Sequence, residues 1–283
     1  RCTEMSVFTL LGHPVSHSVS PDMHNAAAAE LGLDYQYTAT DVTPKNLSGA
    51  LERLRTGEWA GANITIPHKE ATLPLLDELS ETAATLGAVN TLIPVGERIR
   101  GENTDVPGFL ADIDSFEVEL AGRPALIFGA GGSARAVAFG LLQRGAEVRI
   151  LTRNLPAGAQ LARELHSTTG RRLLNFEWTP TDLGQAAQGC TLAVNCTPLG
   201  MTPEVHTTPW FPVVPFPDKI LLYDLVYNPP ETMLMRQARS HGLCAAGGIG
   251  MLVQQGALAF LRWTGCQPPL ETMRIAAQKA LHA

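Results

Sequence analysis

The stretch Ala125-Leu126-Ile127-Phe128-Gly129-Ala130-Gly131-Gly132-Ser133-Ala134-Arg135-Ala136 decides the fold. Four apolar residues run into a glycine-rich turn, and a helical pattern follows from Ala134 to Gln143, with Gly145 as its stop. The turn reads G-x-G-x-x-A at Gly129, Gly131 and Ala134. Gly129 suits the tight strand-to-helix turn, Gly131 lets a pyrophosphate approach the backbone, and Ala134 lets the helix pack close to its strand. The helix N-terminus would then offer its free N–H groups and dipole to the phosphates. The alternative is a turn that serves only as a tight connection. A strand before the turn and a helix after it favour a dinucleotide-binding, Rossmann-type unit.

Glu147 to Leu151 reads as the second parallel strand of that unit. An NAD-binding unit wants a carboxylate at the C-terminal end of this strand for the ribose 2′-hydroxyl. Thr152, Arg153 and Asn154 stand there, and Glu147 is at the wrong end. Arg153 is placed for a 2′-phosphate, whose geometry a guanidinium matches, so the reading is NADP.

A length of 283 residues suggests about two domains. With 45% hydrophobic and 17% charged residues the chain is an ordinary globular sequence. A net charge of −6 and the lack of a basic tract argue against nucleic acid or an anionic membrane as partner. No run approaches a membrane span, and the N-terminus lacks a signal-peptide pattern. The cysteines Cys2, Cys190, Cys196, Cys244 and Cys266 are odd in number and lack C-x-x-C spacing, as expected of reduced thiols in a cytoplasmic protein. Cys196 ends an apolar run and reads as a buried strand residue.

Upstream, Val7 to Leu11 is a short strand leading to Ser18-Val19-Ser20-Pro21, where Ser20 reads as an N-cap and Pro21 as the first helical residue. These serines either bind a polar ligand or only shape the loop. His13, His17 and His24 do not share a helical face, so no metal site is expected. Tyr35 to Val42 reads as a strand and Pro44 to Arg55 as a helix. In Asn63-Ile64-Thr65-Ile66-Pro67-His68-Lys69, Asn63 and Thr65 share one strand face. A helix is expected from Glu70 to about Leu86, with Lys69 at its start. There its charge opposes the dipole, which suits a lysine that binds an anion or moves a proton. A strand from Gly87 to Ile93, a hairpin at Gly96-Glu97, the return Arg98 to Arg100, and a helix from Phe109 to Phe116 follow. The region thus offers Ser18, Ser20, Asn63, Thr65, Lys69, Asn90 and Asp105 near strand ends, where open α/β sheets bind ligands. This set suits a polyhydroxylated small molecule. Farther on, Leu192 to Cys196 and Lys219 to Val226 read as strands, Thr202 to Pro217 as loop, and Glu231 to Ser240 as a helix. Ala245 to Gly250 reads as a flexible junction, followed by helices Met251 to Trp263 and Leu270 to Leu281.

Taken together these residues resemble the shikimate dehydrogenase family over nearly the whole chain. The resemblance is carried by Ser18–Asn25, Asn63–Lys69, Gly87–Thr91, Asn103–Asp105, the Gly-Ala-Gly-Gly turn, Asp224–Tyr227 and Met251–Gln255. It implies an α/β protein of two domains. An N-terminal substrate domain (1–105) is completed by C-terminal helices (249–283), and a Rossmann-type NADP-binding domain (106–248) is inserted between. It implies NADP-dependent, reversible reduction of 3-dehydroshikimate to shikimate, in aromatic amino-acid biosynthesis, by a cytoplasmic monomer or homodimer. Carried over by position, Ser18, Ser20, Asn63, Thr65, Asn90, Tyr227 and Gln255 bind substrate, with Lys69 and Asp105 as the catalytic pair. Gly129, Ala130, Gly131, Gly132, Ser133, Thr152, Arg153, Thr197, Gly248 and Met251 serve the cofactor. No metal is implied.

Two departures from the family pattern stand out. Ala157 falls where a second basic residue often follows Arg153, which weakens the NADP preference, and Gly247 falls where Asp or Asn often precedes the hinge glycine. Relatives that oxidise quinate often have Thr at the position of Ser20, so Ser20 leans towards shikimate. The rival readings are a quinate/shikimate enzyme with relaxed substrate or NAD use, a non-catalytic NADP-binding sensor, and another two-domain NADP dehydrogenase of folate type. The Lys69–Asp105 pair is either catalytic or a structural ion pair.

Overall fold

The computed structural model describes residues 5–282. The chain divides into two compact units, one made of the chain up to Gly108 and from Leu252 onward, the other of Phe109–Met251. The expected boundaries after residues 105 and 248 fall at the N-terminal ends of the two helices in which the chain passes between the units.

The first unit holds the strands β1 (Ser6–Gly12), β2 (Tyr35–Asp41), β3 (Gly61–Ile64), β4 (Glu78–Leu79), β5 (Thr91–Val95) and β6 (Arg98–Glu102). They form one sheet in the order β2-β1-β3-β5-β6-β4. β1 runs parallel to β2 and β3, whereas β5 is antiparallel to both β3 and β6, so the sheet is mixed. Because β1 and β3 are parallel neighbours, their C-terminal loops leave at one edge, where the His13 N–H donates to the Ile66 carbonyl at 3.0 Å. The helices of this part are α1 (Ser20–Glu30), α2 (Leu47–Arg55), α3 (His68–Ala71), α4 (Glu81–Leu86) and α5 (Asp105–Ile113), the last running on into the second unit. In α2 the buried residues are Leu47, Ala50, Leu51 and Leu54, a helical stripe that packs on the core of Leu11, Trp59, Ile64 and Leu92.

Several local expectations are corrected here. Ser20 does not cap α1 with its side chain; the Ser18 hydroxyl accepts from the Ser20 N–H at 3.2 Å, and Ser20 is the first helical residue. The helix expected from Glu70 to Leu86 is interrupted. α3 is one turn, Leu73–Leu75 is a 3₁₀ turn, and β4 precedes α4. Pro74 removes a backbone donor and disfavours helix at Leu73, which explains the break. α5 begins at Asp105 rather than Phe109, because the Asn103 side chain accepts from the N–H groups of Asp105 (3.1 Å) and Val106 (3.3 Å). Pro107 is tolerated inside it because the N–H it lacks is one of the first-turn groups that have no intrahelical partner in any case. The ladder begins one residue later, where the Gly108 N–H donates to the Thr104 carbonyl at 3.0 Å.

The second unit holds β7 (Pro124–Phe128), β8 (Glu147–Thr152), β9 (Leu174–Glu177), β10 (Leu192–Asn195), β11 (Leu221–Asp224) and β12 (Ala245–Gly247). All are parallel, in the order β12-β11-β10-β7-β8-β9. Numbered within the unit this is the doubly wound order 3-2-1-4-5-6, whose direction of winding reverses beside β7. Its helices are α6 (Gly132–Gln143), α7 (Leu155–Thr169), α8 (Pro180–Ala186) and α9 (Met233–Ser240). β12 corrects the flexible junction, since Ala245 and Gly247 are in register with Leu222 and Asp224. The proline-rich loop 202–217 carries Trp210, 1% exposed, into the core against Phe128 and Phe216. α10 (Ile249–Thr264) leads back to the first unit, and α11 (Leu270–Leu281) lies on α1.

Candidate active site

In the first unit the Lys69 Nζ donates to Asp105 Oδ2 at 2.6 Å. Lys69 is on the single turn of α3, held where Val89 N–H donates to the Lys69 carbonyl at 2.9 Å, and Asp105 opens α5. The second carboxylate oxygen of Asp105 accepts from Asn90 Nδ2 at 2.9 Å. The Asn90 amide is oriented unambiguously, because its Oδ1 accepts from the Thr104 backbone N–H at 2.7 Å. Its Nδ2 also lies within reach of Thr104 Oγ1 (2.9 Å) and Gln255 Oε1 (3.3 Å), which brings α10 to the same place. Asn63 sits behind this group. Its Nδ2 donates to the Asn90 carbonyl (3.0 Å) and Thr91 Oγ1 (3.1 Å), and its Oδ1 accepts from the Tyr37 hydroxyl (2.7 Å). Both amide hydrogens of Asn63 are therefore spent inside the protein, and what Asn63 offers a ligand is one remaining lone pair.

Among the described residues no hydrogen bond joins the side chains of Ser18, Ser20 or Thr65 to the Lys69 network. They lie along the sheet edge where β1 and β3 exit. Gly12 packs against the Thr65 methyl so closely that a Cβ would collide with it. Among the described residues the hydroxyls of Ser20 and Thr65 have no hydrogen-bond partner. Tyr227, Gly248 and Met251 belong to the second unit. Burial pushes the Tyr227 phenol above its ordinary pKa, so it is a neutral hydroxyl at physiological pH. Gly248 is glycine for packing, since a Cβ there would overlap the Leu225 carbonyl.

The second unit contains a cavity of about 270 Å³ at the C-terminal ends of β7, β8 and β10, lined by Gly129, Ala130, Gly131, Thr152, Arg153 and Thr197 among others. Gly132 and Ser133 form the first turn of α6 just beyond it. Gly129 has φ +102°, a conformation that only glycine takes without strain. Gly131 and Gly132 differ: a Cβ on either would meet no protein atom within 4 Å. The protein's own packing does not ask for glycine there, whereas a diphosphate against the backbone does. The N-cap of α6 is Gly131, so no side chain competes for its first-turn N–H groups. Arg153 makes no ion pair or hydrogen bond among the described residues, and its guanidinium lies 5.7 Å from the Trp178 ring. A free guanidinium beside a glycine-lined helix N-terminus fits a dinucleotide with an extra phosphate. The far wall is fixed by Asn195, whose Oδ1 accepts from the Thr197 N–H (3.0 Å) and hydroxyl (2.6 Å). Asn195 in turn donates to the buried Asp224 at 2.9 Å.

The family profile of the shikimate dehydrogenase substrate binding domain matches residues 10–92, and that of the shikimate 5'-dehydrogenase C-terminal domain matches residues 248–278. A shikimate dehydrogenase (NADP(+)) of Symbiobacterium thermophilum is 44% identical over 97% of this chain and 94% of its own length. One of Methanopyrus kandleri is 42% identical over 98% and 97%. The crystal structure of the shikimate 5-dehydrogenase of Thermus thermophilus, in complex with NADP(H) and shikimate, superposes with a TM-score of 0.88 at 40% identity, covering 98% of this chain and 100% of that one. The chain belongs to the shikimate dehydrogenase family.

Within this family member, sequence reasoning missed the residues that hold the site residues in place. Tyr37, Thr91, Asn103 and Thr104 all bond to the Asn63–Asn90–Asp105 group. Thr91, Asn103 and Thr104 stand inside the motifs Gly87–Thr91 and Asn103–Asp105, and their burial as polar residues beside Asn90 and Asp105 is what marks them. Trp178 lies in a segment that showed no motif. Cys196 is half-buried just beyond β10 rather than inside it, and burial with the nearby Asp224 pushes its thiol pKa well up. Cys190, Cys196, Cys244 and Cys266 are unpaired thiols, and Cys2 lies outside the described residues. Among the described residues no helix is long and apolar enough to cross a membrane, and no three potential metal ligands cluster.

Proposed function

We propose that this chain catalyses the NADP-dependent, reversible reduction of 3-dehydroshikimate to shikimate, with Lys69 and Asp105 handling the proton. The Lys69 geometry carries this reading. An ammonium has three N–H donors, and Lys69 commits one of them to Asp105. The remaining donors are available to a substrate oxygen. When bound, NADPH supplies the hydride. As charge grows on the substrate oxygen, Lys69 stabilises it and delivers the proton; in the oxidation direction its amine accepts the hydroxyl proton. Asp105 orients Lys69 with one oxygen, while Asn90 fixes the other, so the pair is aligned before substrate arrives.

In this reading the first unit is the substrate domain and the second the NADP domain. Ser18, Ser20, Thr65, Asn90, Tyr227 and Gln255 bind the substrate's hydroxyl and carboxylate groups, with Asn63 contributing mainly by bracing Asn90. Gly129 to Ser133 hold the diphosphate, Thr152 and Arg153 the ribose phosphate, and Thr197, Gly248 and Met251 the remaining cofactor walls. We place the protein in the cytoplasm, as a monomer or homodimer without nucleic-acid or membrane partners.

The test is absorbance of the reduced nicotinamide with shikimate or quinate, each offered with NADP or NAD. Turnover confined to shikimate with NADP is expected. Comparable turnover of quinate, or comparable use of NAD, would correct the specificity while keeping the Lys69–Asp105 chemistry. Silence in all four, from protein that binds NADP, would overturn the enzymatic reading in favour of a sensor.

A further inference from the structure

Arg153 poses a physical problem. It is exposed, Ala157 stands in the next turn where a second basic residue would sit, and among the described residues no carboxylate or carbonyl fixes its guanidinium. A flexible arginine that must be ordered on binding loses side-chain entropy at that moment. The structure supplies a partner that sequence reading passed over. The Arg153 guanidinium carbon is 5.7 Å from the centre of the Trp178 ring, within cation–π range.

Trp178 is itself held rigidly. Its backbone N–H donates to the Thr152 carbonyl at 3.1 Å, which ties it to the residue before Arg153. Its indole N–H donates to the Pro209 carbonyl at 2.8 Å. Its ring stacks on Phe211 with centroids 4.9 Å apart. Trp178 and Pro209 line the same cavity as Arg153. The indole is thus fixed by the end of β8, by the proline-rich loop and by an aromatic neighbour, all within one unit.

We propose that Trp178 is the positioning residue for cofactor specificity: its indole holds the Arg153 guanidinium ready for the 2′-phosphate of NADP and stands in for the missing second basic residue. This rests on the reading of Arg153 as the 2′-phosphate ligand. The ring's negative face attracts the cation but competes for none of its five N–H donors, which stay free for phosphate oxygens. A carboxylate partner in the same place would order the arginine equally well, yet would repel the phosphate.

The experiment measures binding by calorimetry, on the full chain, of adenosine 2′,5′-bisphosphate and of AMP, which lacks the 2′-phosphate. Four proteins are compared: wild type, Arg153→Ala, Trp178→Leu and Trp178→Phe. Arg153→Ala is expected to weaken the bisphosphate and leave AMP unchanged; equal effects on both ligands would overturn the underlying reading of Arg153. Trp178→Leu is expected to weaken the bisphosphate by roughly three- to thirty-fold with AMP unchanged. Trp178→Phe keeps an aromatic face and should retain most of the affinity although it loses the bond to Pro209. AMP binding also reports folding of each variant. If Trp178→Leu weakens AMP and the bisphosphate alike, Trp178 is an adenine platform and the proposal fails. It fails too if neither affinity changes, or if Trp178→Phe is as impaired as Trp178→Leu. Combining Trp178→Leu with Arg153→Ala should add nothing beyond Arg153→Ala alone; additive losses would show that Trp178 does not act through the arginine.

Discussion

Lys69 and Asp224 illustrate two different uses of charge at single residues. Lys69 is one-fifth exposed and shares its charge with Asp105 at 2.6 Å, so it can meet a substrate without being freed from a closed network. Lys69→Ala is expected to lower kcat by about 10²–10⁴-fold, with the shikimate KM changed little. Steady-state kinetics decide it, and an unchanged kcat would remove Lys69 from proton transfer. Asp224 is fully buried and accepts from Asn195, from the Val226 N–H and from the Thr232 hydroxyl. Burial outweighs those bonds and pushes its carboxyl up from 3.8 to about 6. The native carboxyl thus holds its proton more tightly than the unfolded one. Asp224 costs the fold nothing below about pH 4, and stability is lost as pH rises from there to about 6. At neutral pH the cost is about 3 kcal/mol on this shift. Asn keeps the shape, and the Thr232 oxygen can accept its N–H. Asp224→Asn should therefore be more stable than wild type at pH 7, with the gap closing towards pH 4. Denaturant unfolding across that range checks this; a gap independent of pH would show that ionisation is not the cause.

At the scale of elements, what sequence revealed was whatever is governed by local rules. The strand–turn–helix of β7 and α6 was legible from apolar run and glycines, and the hairpin of β5 and β6 from Gly96. What stayed hidden depends on partners distant in sequence. Residues 245–247 look like a glycine-rich linker until β11 gives their backbone a parallel neighbour. Residues 78–79 look helical until β6 pairs with them across a break at Pro74. The site behaves likewise: Lys69, Asn90 and Asp105 stood in recognisable motifs, but nothing local says that Tyr37 orients Asn63. Gly108 is another such case. A Cβ there would lie 2.8 Å from the Gln255 backbone nitrogen, so this glycine lets α5 and α10 approach closely enough for Gln255 to reach Asn90. Gly108→Ala should cost about 1–3 kcal/mol by overpacking. It should also raise the shikimate KM, because Gln255 moves with its helix. Thermal unfolding and kinetics on the same preparation test both parts, and a variant with wild-type stability and KM would show that the contact yields without consequence.

For the whole molecule, the two units differ in how the chain closes them. The second is continuous from Phe109 to Met251, and all six of its strands are consecutive. The first is assembled from both ends of the chain. Its sheet and α1 are covered by α10 and α11: Trp263 donates its indole N–H to the Leu92 carbonyl at 3.0 Å, packs 5.0 Å from Phe8, and sits where a Cβ on Gly61 would be 2.5 Å from it. Met23 and His24, both 0% exposed, lie beneath Gly256, and burial drives His24 down to about 3, a neutral imidazole stacked on Tyr37 with its Nδ1 3.1 Å from the Tyr35 hydroxyl. Without residues 252–283 those groups would face water. A fragment of residues 109–251 should therefore fold alone and bind adenosine 2′,5′-bisphosphate, since it carries a complete sheet and the Arg153 cavity. A fragment of residues 1–108 should fail to fold cooperatively, because its apolar face lacks its cover, and should regain structure when residues 252–283 are joined to it by a short linker. Circular dichroism melts and calorimetry distinguish these outcomes. Cooperative melting of 1–108 alone would mean that the C-terminal helices serve the site, by delivering Gln255, rather than the core beneath them.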